Sequence, residues 1–224
     1  MRTIEDVNNL IDYVKENPLN FTWTNPKTAV AISTIPNSGN GRFATEDMKK
    51  GEVIALLGGM MLTETEYQQI RRRFNFVSGL LVHKDFKIHQ LNHLSHNNGS
   101  LNHCCDPNAT LFGQIMIKTS RYVRGGEELF VDYGTITNED LVLFEKCECG
   151  APNCRRYITA KDWLSSKFRK FHGVNFSIHL HELINETSYS QIIKQIQSLK
   201  KIDIRKSTLL QDELKKYEEE YINN

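Results

Sequence analysis

Residues 102–108 read Asn102-His103-Cys104-Cys105-Asp106-Pro107-Asn108, and the interpretation of this stretch decides what kind of fold the chain adopts. Two adjacent thiols stand between an Asn-His pair and a Pro-Asn turn. Pro107 rigidifies the backbone, while the Asn102 and His103 side chains offer directed hydrogen bonds to a small polar ligand. Alone, the pattern reads equally well as an ordinary polar turn. Its weight comes from what flanks it.

Downstream lies Cys147-Glu148-Cys149-Gly150-Ala151-Pro152-Asn153-Cys154, so every cysteine of the chain falls between positions 104 and 154. Scattered core thiols would be spread more evenly. The start, MRTIEDVNNL, has no apolar export signal, and a disulfide framework is out of place without one. Metal binding is the better reading. Zinc takes tetrahedral ligands, and thiolates supply them in closed structural sites. Cys147, Cys149 and Cys154 can wrap one ion, and Cys104 or Cys105 is available as the fourth ligand. That ligand would pin the C-terminal lip to the loop at 102–108. An all-thiolate set leaves no open position for water, which excludes a hydrolytic zinc enzyme.

Two further signals lie to either side of these stretches. Gly39-Asn40-Gly41 follows a predicted strand over 27–34 (KTAVAIST); such a pair serves a hairpin, or lets backbone approach a ligand where no Cβ intervenes. Gly126-Glu127-Glu128-Leu129-Phe130-Val131-Asp132-Tyr133-Gly134 reads as a strand ending in a tyrosine, either a core aromatic or a functional phenol. Strands are also expected over GEVIALLGG, closed by Gly58 and Gly59, and over 109–118 and 127–133, with Gly125-Gly126 turning between the last two. A helix starting at a polar cap is expected from Thr63 through Tyr67, Ile70 and Phe74. Residues 86–108 read as a long polar loop of the kind that is usually functional. At the ends, Ile4, Val7, Leu10, Ile11 and Val14 predict a helix over 4–16, stopped by Pro18. Leu210, Leu214, Tyr217 and Tyr221 form an amphipathic stripe in a charged, helical tail, which must pack on the main domain or on another subunit.

The 224 residues are 39% hydrophobic and 25% charged, a normal globular balance. A formal net charge of +1 argues against phosphate-driven, non-specific nucleic-acid binding. No apolar run approaches the roughly 20 residues that span a bilayer. A soluble intracellular protein is expected, in the cytoplasm or nucleus, or in a host cell should the source be a microbe.

Taken together and in order, these signals resemble the SET-domain lysine methyltransferases. The family's G-x-G turn matches Gly39 to Gly41, and its N-H-S-C-x-P-N loop matches Asn102 to Asn108 with one substitution. Its G-E-E-L-x-x-D-Y strand matches Gly126 to Tyr133, and the post-SET C-x-C-x4-C-R matches Cys147 to Arg155. The resemblance covers about residues 27–162.

The resemblance implies a mainly β fold with α additions, with knot-like threading of the segment ending at Tyr133. It implies an N-terminal helical extension at 1–26, a SET domain at 27–135, a post-SET zinc segment at 136–162 and a helical C-terminal extension at 163–224. S-adenosylmethionine would lie between the G-x-G turn, the Asn-His loop and the post-SET lip. The implied cofactor-binding residues are Gly39, Asn40, Gly41, Arg42, Asn102, His103 and Tyr133, the last also the catalytic tyrosine. The implied zinc ligands are Cys105, Cys147, Cys149 and Cys154, with Cys104 standing where the family has Ser. The partner would be a protein with an accessible lysine, a histone or another protein; the alternative is a catalytically inactive, zinc-stabilised binding module on the same fold.

Departures from the family pattern carry further expectations. Gly99-Ser100-Leu101 stands where many relatives have Arg-Phe or Arg-Tyr, so one cofactor contact is missing or supplied elsewhere. Val131 stands where relatives often carry Phe or Tyr, which leaves room for an amine that already bears a methyl group. Arg205-Lys206-Ser207-Thr208 is either a solvated charged stretch between helices or presents Lys206 as a self-substrate or pseudosubstrate.

Overall fold

A computed structural model describes residues 22–73, 79–83, 85–89, 100–136 and 145–186, together with Thr3, Glu5, Asp6, Asn9 and Asp12. Among these, short strands form four sheets. The first sheet orders β1 (Trp23–Thr24), β4 (Val53–Leu56), β10 (Met116–Thr119) and β9 (Ala109–Phe112) side by side. In the second, β2 (Thr28–Ile32), β3 (Asn40–Ala44), β11 (Glu128–Val131) and β8 (Asn102–His103) are neighbours in that order. A third places β7 (Phe86–His89) between β5 (Met60–Thr63) and β6 (Gly79–His83), and the small fourth pairs β12 (Glu145–Lys146) with β13 (Tyr157–Ile158). Mainly β with few helices is the observed class.

The core lies between the first two sheets. Ile54, Ala55, Leu111 and Ile117 from one side meet Ala44, Leu129 and Val131 from the other, all almost wholly buried. Alternation explains which residues point inward: β11 buries Leu129 and Val131 on one face, and Glu128 turns to the opposite one. Burial of the apolar members supplies the main driving force, about 25 cal/mol per Å² of apolar surface removed from water.

Several expected elements take a different form. Residues 109–118 are a hairpin, β9–β10, rather than one strand. Gly113, at φ +65°, makes the turn, and the register pairs Met116 with Phe112. The polar stretch after 86 contains β7 and β8, and residues 40–44 continue past the Gly39 turn as β3. Parts of the predicted turn and of the polar stretch are thus short strands: β3 pairs with the neighbouring β2 and with the distant β11, β7 with β5 and β6, and β8 with β11. Residues 90–99 lie outside the described residues.

The helix expected from Thr63 is α1 (Glu64–Arg73), and its start has a chemical cause. Thr63 Oγ1 accepts from Glu66 N, and Glu66 Oε2 accepts from Thr63 N at 2.7 Å, a reciprocal capping box. Tyr67 and Ile70 are buried beneath it; Phe74 lies outside the described residues. Of the N-terminal helix, Glu5, Asp6, Asn9 and Asp12 are helical and exposed, with Thr3 and Asp6 bonded across its first turn. Its apolar positions Ile4, Val7, Leu10, Ile11 and Val14 lie outside the described residues.

Beyond the lip, the 3-10 turn Asp162–Leu164 leads into α2 (Ser166–His172) and α3 (Ile178–Glu186). Ser165 caps α2 by accepting from Phe168 N at 3.2 Å, and Gly173, at φ +60°, ends it. This segment packs on the main domain: Ser177 N donates to Thr135 O at 2.9 Å and Ile178 N to Gln114 Oε1 at 3.0 Å. The stripe from Leu210 to Tyr221 and the Arg205–Thr208 stretch lie outside the described residues. Among the described residues, no helix is long and apolar enough to cross a membrane.

Candidate active site and metal centre

The two motif strands meet directly. β8 runs parallel to β11, with Asn102 opposite Phe130 and His103 opposite Val131. Asn108, buried at the end of the same loop, stitches them together. Its Nδ2 donates to Glu128 O at 2.7 Å and its Oδ1 accepts from Phe130 N at 2.8 Å. A side-chain amide can serve both a carbonyl and an N–H of one strand, which explains the choice of Asn here.

Tyr133 follows β11 on a 3-10 turn, Tyr133–Thr135. Its hydroxyl donates to Leu101 O at 2.9 Å, and its own N–H donates to His103 Nδ1 at 3.1 Å. Because His103 Nδ1 accepts, the neutral ring carries its proton on Nε2, which faces Cys105 Sγ at 3.3 Å. Burial pushes the His103 imidazole down to about 4, so it is neutral at physiological pH. His103 thus ties the backbone of Tyr133 to a thiol of the cysteine cluster.

A cleft of about 530 Å³ opens beside these residues, lined by Asn102, His103 and Tyr133, by Ile35–Ser38, and by Lys146–Cys149 of the lip. Such a volume lies within the usual range of small-molecule sites. The wall expected from Gly39–Arg42 comes instead from the four residues before it. Asn40 O accepts from Asn102 Nδ2 at 3.1 Å. The Arg42 side chain is buried in the sheet, where Nη1 donates to Thr28 Oγ1 at 2.8 Å.

Gly41 explains itself through Glu128. A Cβ built at Gly41 would sit 2.0 Å from Glu128 Oε1, so the open side of this glycine is filled by a carboxylate. That carboxylate accepts from Ser33 Oγ at 2.8 Å, Thr34 N at 2.6 Å, Thr34 Oγ1 at 2.5 Å and Asn102 Nδ2 at 3.1 Å. Glu128 therefore binds the cleft-lining loop to the Asn-His pair. Sequence reasoning singled out its motif but not this role.

The sulfurs of Cys105, Cys147, Cys149 and Cys154 all lie within 4.8 Å of one another, and the Cys105–Cys147 pair is 3.8 Å apart. Tetrahedral zinc with bonds of about 2.3 Å sets neighbouring sulfurs about 3.8 Å apart, so the four thiols fit that ion. Backbone N–H groups also point at the sulfurs: Cys105 N at Cys149 Sγ, 3.5 Å, Arg155 N at Cys105 Sγ, 3.3 Å, and Arg156 N at Cys154 Sγ, 3.4 Å. Such donors favour thiolate ligands. Burial pushes the Cys147 thiol up to about 12 and Cys105 higher still, whereas at Cys149 hydrogen bonds from Cys105 N and Ala151 N outweigh burial and bring the thiol down to about 7; a cation bound among them would favour the thiolate of the two buried cysteines. Cys104 stands outside the four, its Sγ accepting from Asp106 N at 3.4 Å.

Behind Tyr133 lies a buried ionic network built on Asp132, Arg155 and Asp162. Arg155 grips Asp132 with two bonds of 2.7 Å and also reaches Asp162 Oδ2 at 3.0 Å. Burial opposes ionisation of Asp132, yet hydrogen bonds from His172 and Arg155 hold it well below the usual carboxylate range. Asp162 shares the same arginine and is pushed up to about 6, chiefly by burial. One bidentate cation cannot fully serve two desolvated acids. The motifs placed Asp132 and Arg155 in the sequence without their partnership, and no sequence signal pointed to His172.

Residues 39–134 match the SET domain family model. The H3 lysine-4 specific histone-lysine N-methyltransferase of Mycosarcoma maydis is 30% identical over 143 residues, covering 59% of this chain and 10% of that protein. The histone-lysine N-methyltransferase Su(var)3-9 of Drosophila melanogaster is 28% identical over 158 residues, covering 58% and 24%. The probable histone-lysine N-methyltransferase set-23 of Caenorhabditis briggsae is 28% identical over 148 residues, covering 59% and 61%. The chain thus spans a minor part of the first two relatives and somewhat under two thirds of the third. Among solved structures, an active polycomb repressive complex 2 in the basal state is similar with a TM-score of 0.42 and 21% identity, over 51% of this chain and 16% of that one.

Proposed function

With a SET domain at residues 39–134 as the premise, we infer that this chain is a protein-lysine N-methyltransferase that uses S-adenosylmethionine and carries a structural zinc. Its substrate is a protein with an accessible lysine, a histone being the first to test. The observation that carries this reading is the meeting of Asn102, His103, Tyr133 and the thiol-bearing lip around one cleft of about 530 Å³. That arrangement favours an enzyme over an inactive binding module.

When bound, S-adenosylmethionine supplies a methyl group on a sulfonium, an electrophile for a neutral amine. Asn102, His103 and Tyr133 would hold it, with Ile35–Ser38 lining the same cleft. Gly39 turns the chain from that lining segment into β3, which begins with Asn40 and Gly41, and Arg42 anchors β3 to β2 through Thr28 Oγ1. Cys105, Cys147, Cys149 and Cys154 would hold zinc, which fixes the lip against the Asn-His strand.

A lysine with a reference pKa of about 10.4 is almost wholly protonated at neutral pH, so the site must favour the free amine. Tyr133 and Leu101 pack against the apolar core that includes Val131, and apolar surroundings disfavour an ammonium. The hydroxyl of Tyr133 spends its proton on Leu101 O. A phenol oxygen that donates can also accept, and it would accept weak C–H···O contacts from an electron-poor methyl group, which would align the reacting centres. Val131, smaller than an aromatic, leaves room for transfer to an amine that already carries a methyl.

The test is tritiated-methyl transfer to core histones and to a cell lysate, wild type against Tyr133→Phe. Transfer by wild type and its loss in the variant support the reading. Failure of the wild type both to transfer methyl and to bind S-adenosylmethionine in calorimetry would overturn it.

A further inference from the structure

Asp132, only 2% exposed, directly precedes Tyr133, and its carboxylate is fully engaged. Arg155 Nη1 and Nη2 each lie at 2.7 Å, Gly134 N at 3.0 Å and His172 Nε2 at 3.1 Å. An ionised carboxylate offers about four acceptor sites, and these donors occupy them all. Because the carboxylate only accepts, His172 must present Nε2–H. His103 cannot substitute, since its Nδ1 sits 3.6 Å from Asp132 and already accepts from Tyr133 N.

His172 belongs to α2, beyond the stretch that matches the SET domain. Its ring is held at 4.4 Å by Phe168 and at 4.8 Å by Phe171. Phe168 also covers the Arg155 guanidinium at 4.7 Å and lies 2.9 Å from where a Cβ of Gly134 would be. Asp162 Oδ2 lies 3.0 Å from that same point. This segment is moulded onto the backbone of Asp132 to Gly134 so closely that no side chain fits between. Asp132 is moreover the cap of the turn that carries Tyr133, accepting from Gly134 N.

We propose that His172 is a positioning residue for Tyr133, acting through Asp132, so that the C-terminal segment belongs to the working catalytic unit. Holding the fourth acceptor site of Asp132 fixes the cap, and the cap fixes where the turn aims the phenol. The proposal rests on the methyl-transfer reading only for the role given to Tyr133.

The experiment uses the full chain, zinc-replete and labelled with 3-fluorotyrosine. Of the eight tyrosines, position 133 is the ¹⁹F resonance missing in Tyr133→Phe. His172→Phe keeps the aromatic packing and removes the donor; His172→Gln keeps an N–H donor. The expected result is a shifted or broadened residue-133 resonance in His172→Phe. A fall in kcat of about 10-fold accompanies it, the scale of one charge-assisted hydrogen bond. KM for S-adenosylmethionine and zinc content stay unchanged, and His172→Gln restores both signal and rate. An unmoved resonance in folded His172→Phe overturns the proposal, as does a Gln variant that behaves like Phe. Should His172→Phe fail to fold, His172→Leu, which also lacks a donor in a smaller side chain, is judged by the same outcomes. If wild type transfers no methyl, the ¹⁹F signal decides alone, which separates failure of this proposal from failure of the enzymatic reading.

Discussion

Replacing Glu128 by Gln tests whether the cleft is organised by one buried carboxylate. Oε1 accepts from Ser33 Oγ and Asn102 Nδ2, and Oε2 accepts from Thr34 N and Thr34 Oγ1. Gln must turn an NH₂ toward one of these pairs. Placed at the Oε1 end, it costs least: the Ser33 hydroxyl can rotate to accept, and Asn102 keeps its bond to Asn40 O. Even so, one amide donor loses a partner and the remaining bonds lose their charge assistance, about 2–4 kcal/mol in total. For a domain of this size each kcal/mol lowers Tm by about 2–4 °C, so a cost near the middle of that range means a fall of roughly 6–12 °C. Because Ile35–Ser38 follow directly from the bonded residues, the dissociation constant for S-adenosylmethionine should rise about 10-fold, equivalent to about 1.4 kcal/mol. Scanning calorimetry and isothermal titration measure both. A double-mutant cycle sharpens the test. Gly41→Ala would drive its Cβ into Glu128 Oε1, so its cost should shrink by more than about 1 kcal/mol in a Glu128→Ala background. A Glu128→Gln protein that melts within 2 °C of wild type and binds the cofactor equally well, or a cycle that is additive, refutes this account.

Metal analysis should find one zinc per chain, and a chelator should lower Tm. Cys105→Ser, Cys147→Ser and Cys154→Ser lose the metal and Cys104→Ser keeps it; equal loss from Cys104→Ser would mean the ligand set is wrong. Tyr133→Phe should cut methyl transfer by about 100-fold or more, the scale of a removed transition-state contact, with cofactor affinity nearly unchanged. Val131→Phe should confine the product to monomethyl-lysine by mass spectrometry, at about 1–3 kcal/mol in stability, because Val131 is packed in the core. Wild type that never proceeds past one methyl would show that another side chain narrows the channel.

Much of the site was legible in one dimension because each motif carries its own local chemistry. The spacing of Cys147, Cys149 and Cys154 suits one tetrahedral ion wherever the loop sits, and Thr63 with Glu66 caps a helix without help from the rest of the chain. What escaped was long-range pairing. Residues 40–44 and 102–103 are too short and polar to announce themselves as strands; the first pairs along its length with β2 and is joined to the second only through β11, which runs between them. The turn at Gly113 hid inside an apolar run, where one glycine gives little warning of a hairpin.

By itself the amino-acid sequence determined the β-rich class and singled out the thiol-bearing segments and the motifs that carry Asn102, His103 and Tyr133, since residue type and short spacing specify ligand chemistry and local conformation; the cleft wall at Ile35–Ser38 came only with the fold. Tertiary structure alone decided that Glu128 fills the space beside Gly41, that Arg155 is divided between Asp132 and Asp162, and that His172 reaches back to the residue before Tyr133. These are buried polar contacts between segments far apart in the chain. A desolvated charge must find a partner when the chain closes, but nothing in its sequence neighbourhood says which partner that will be.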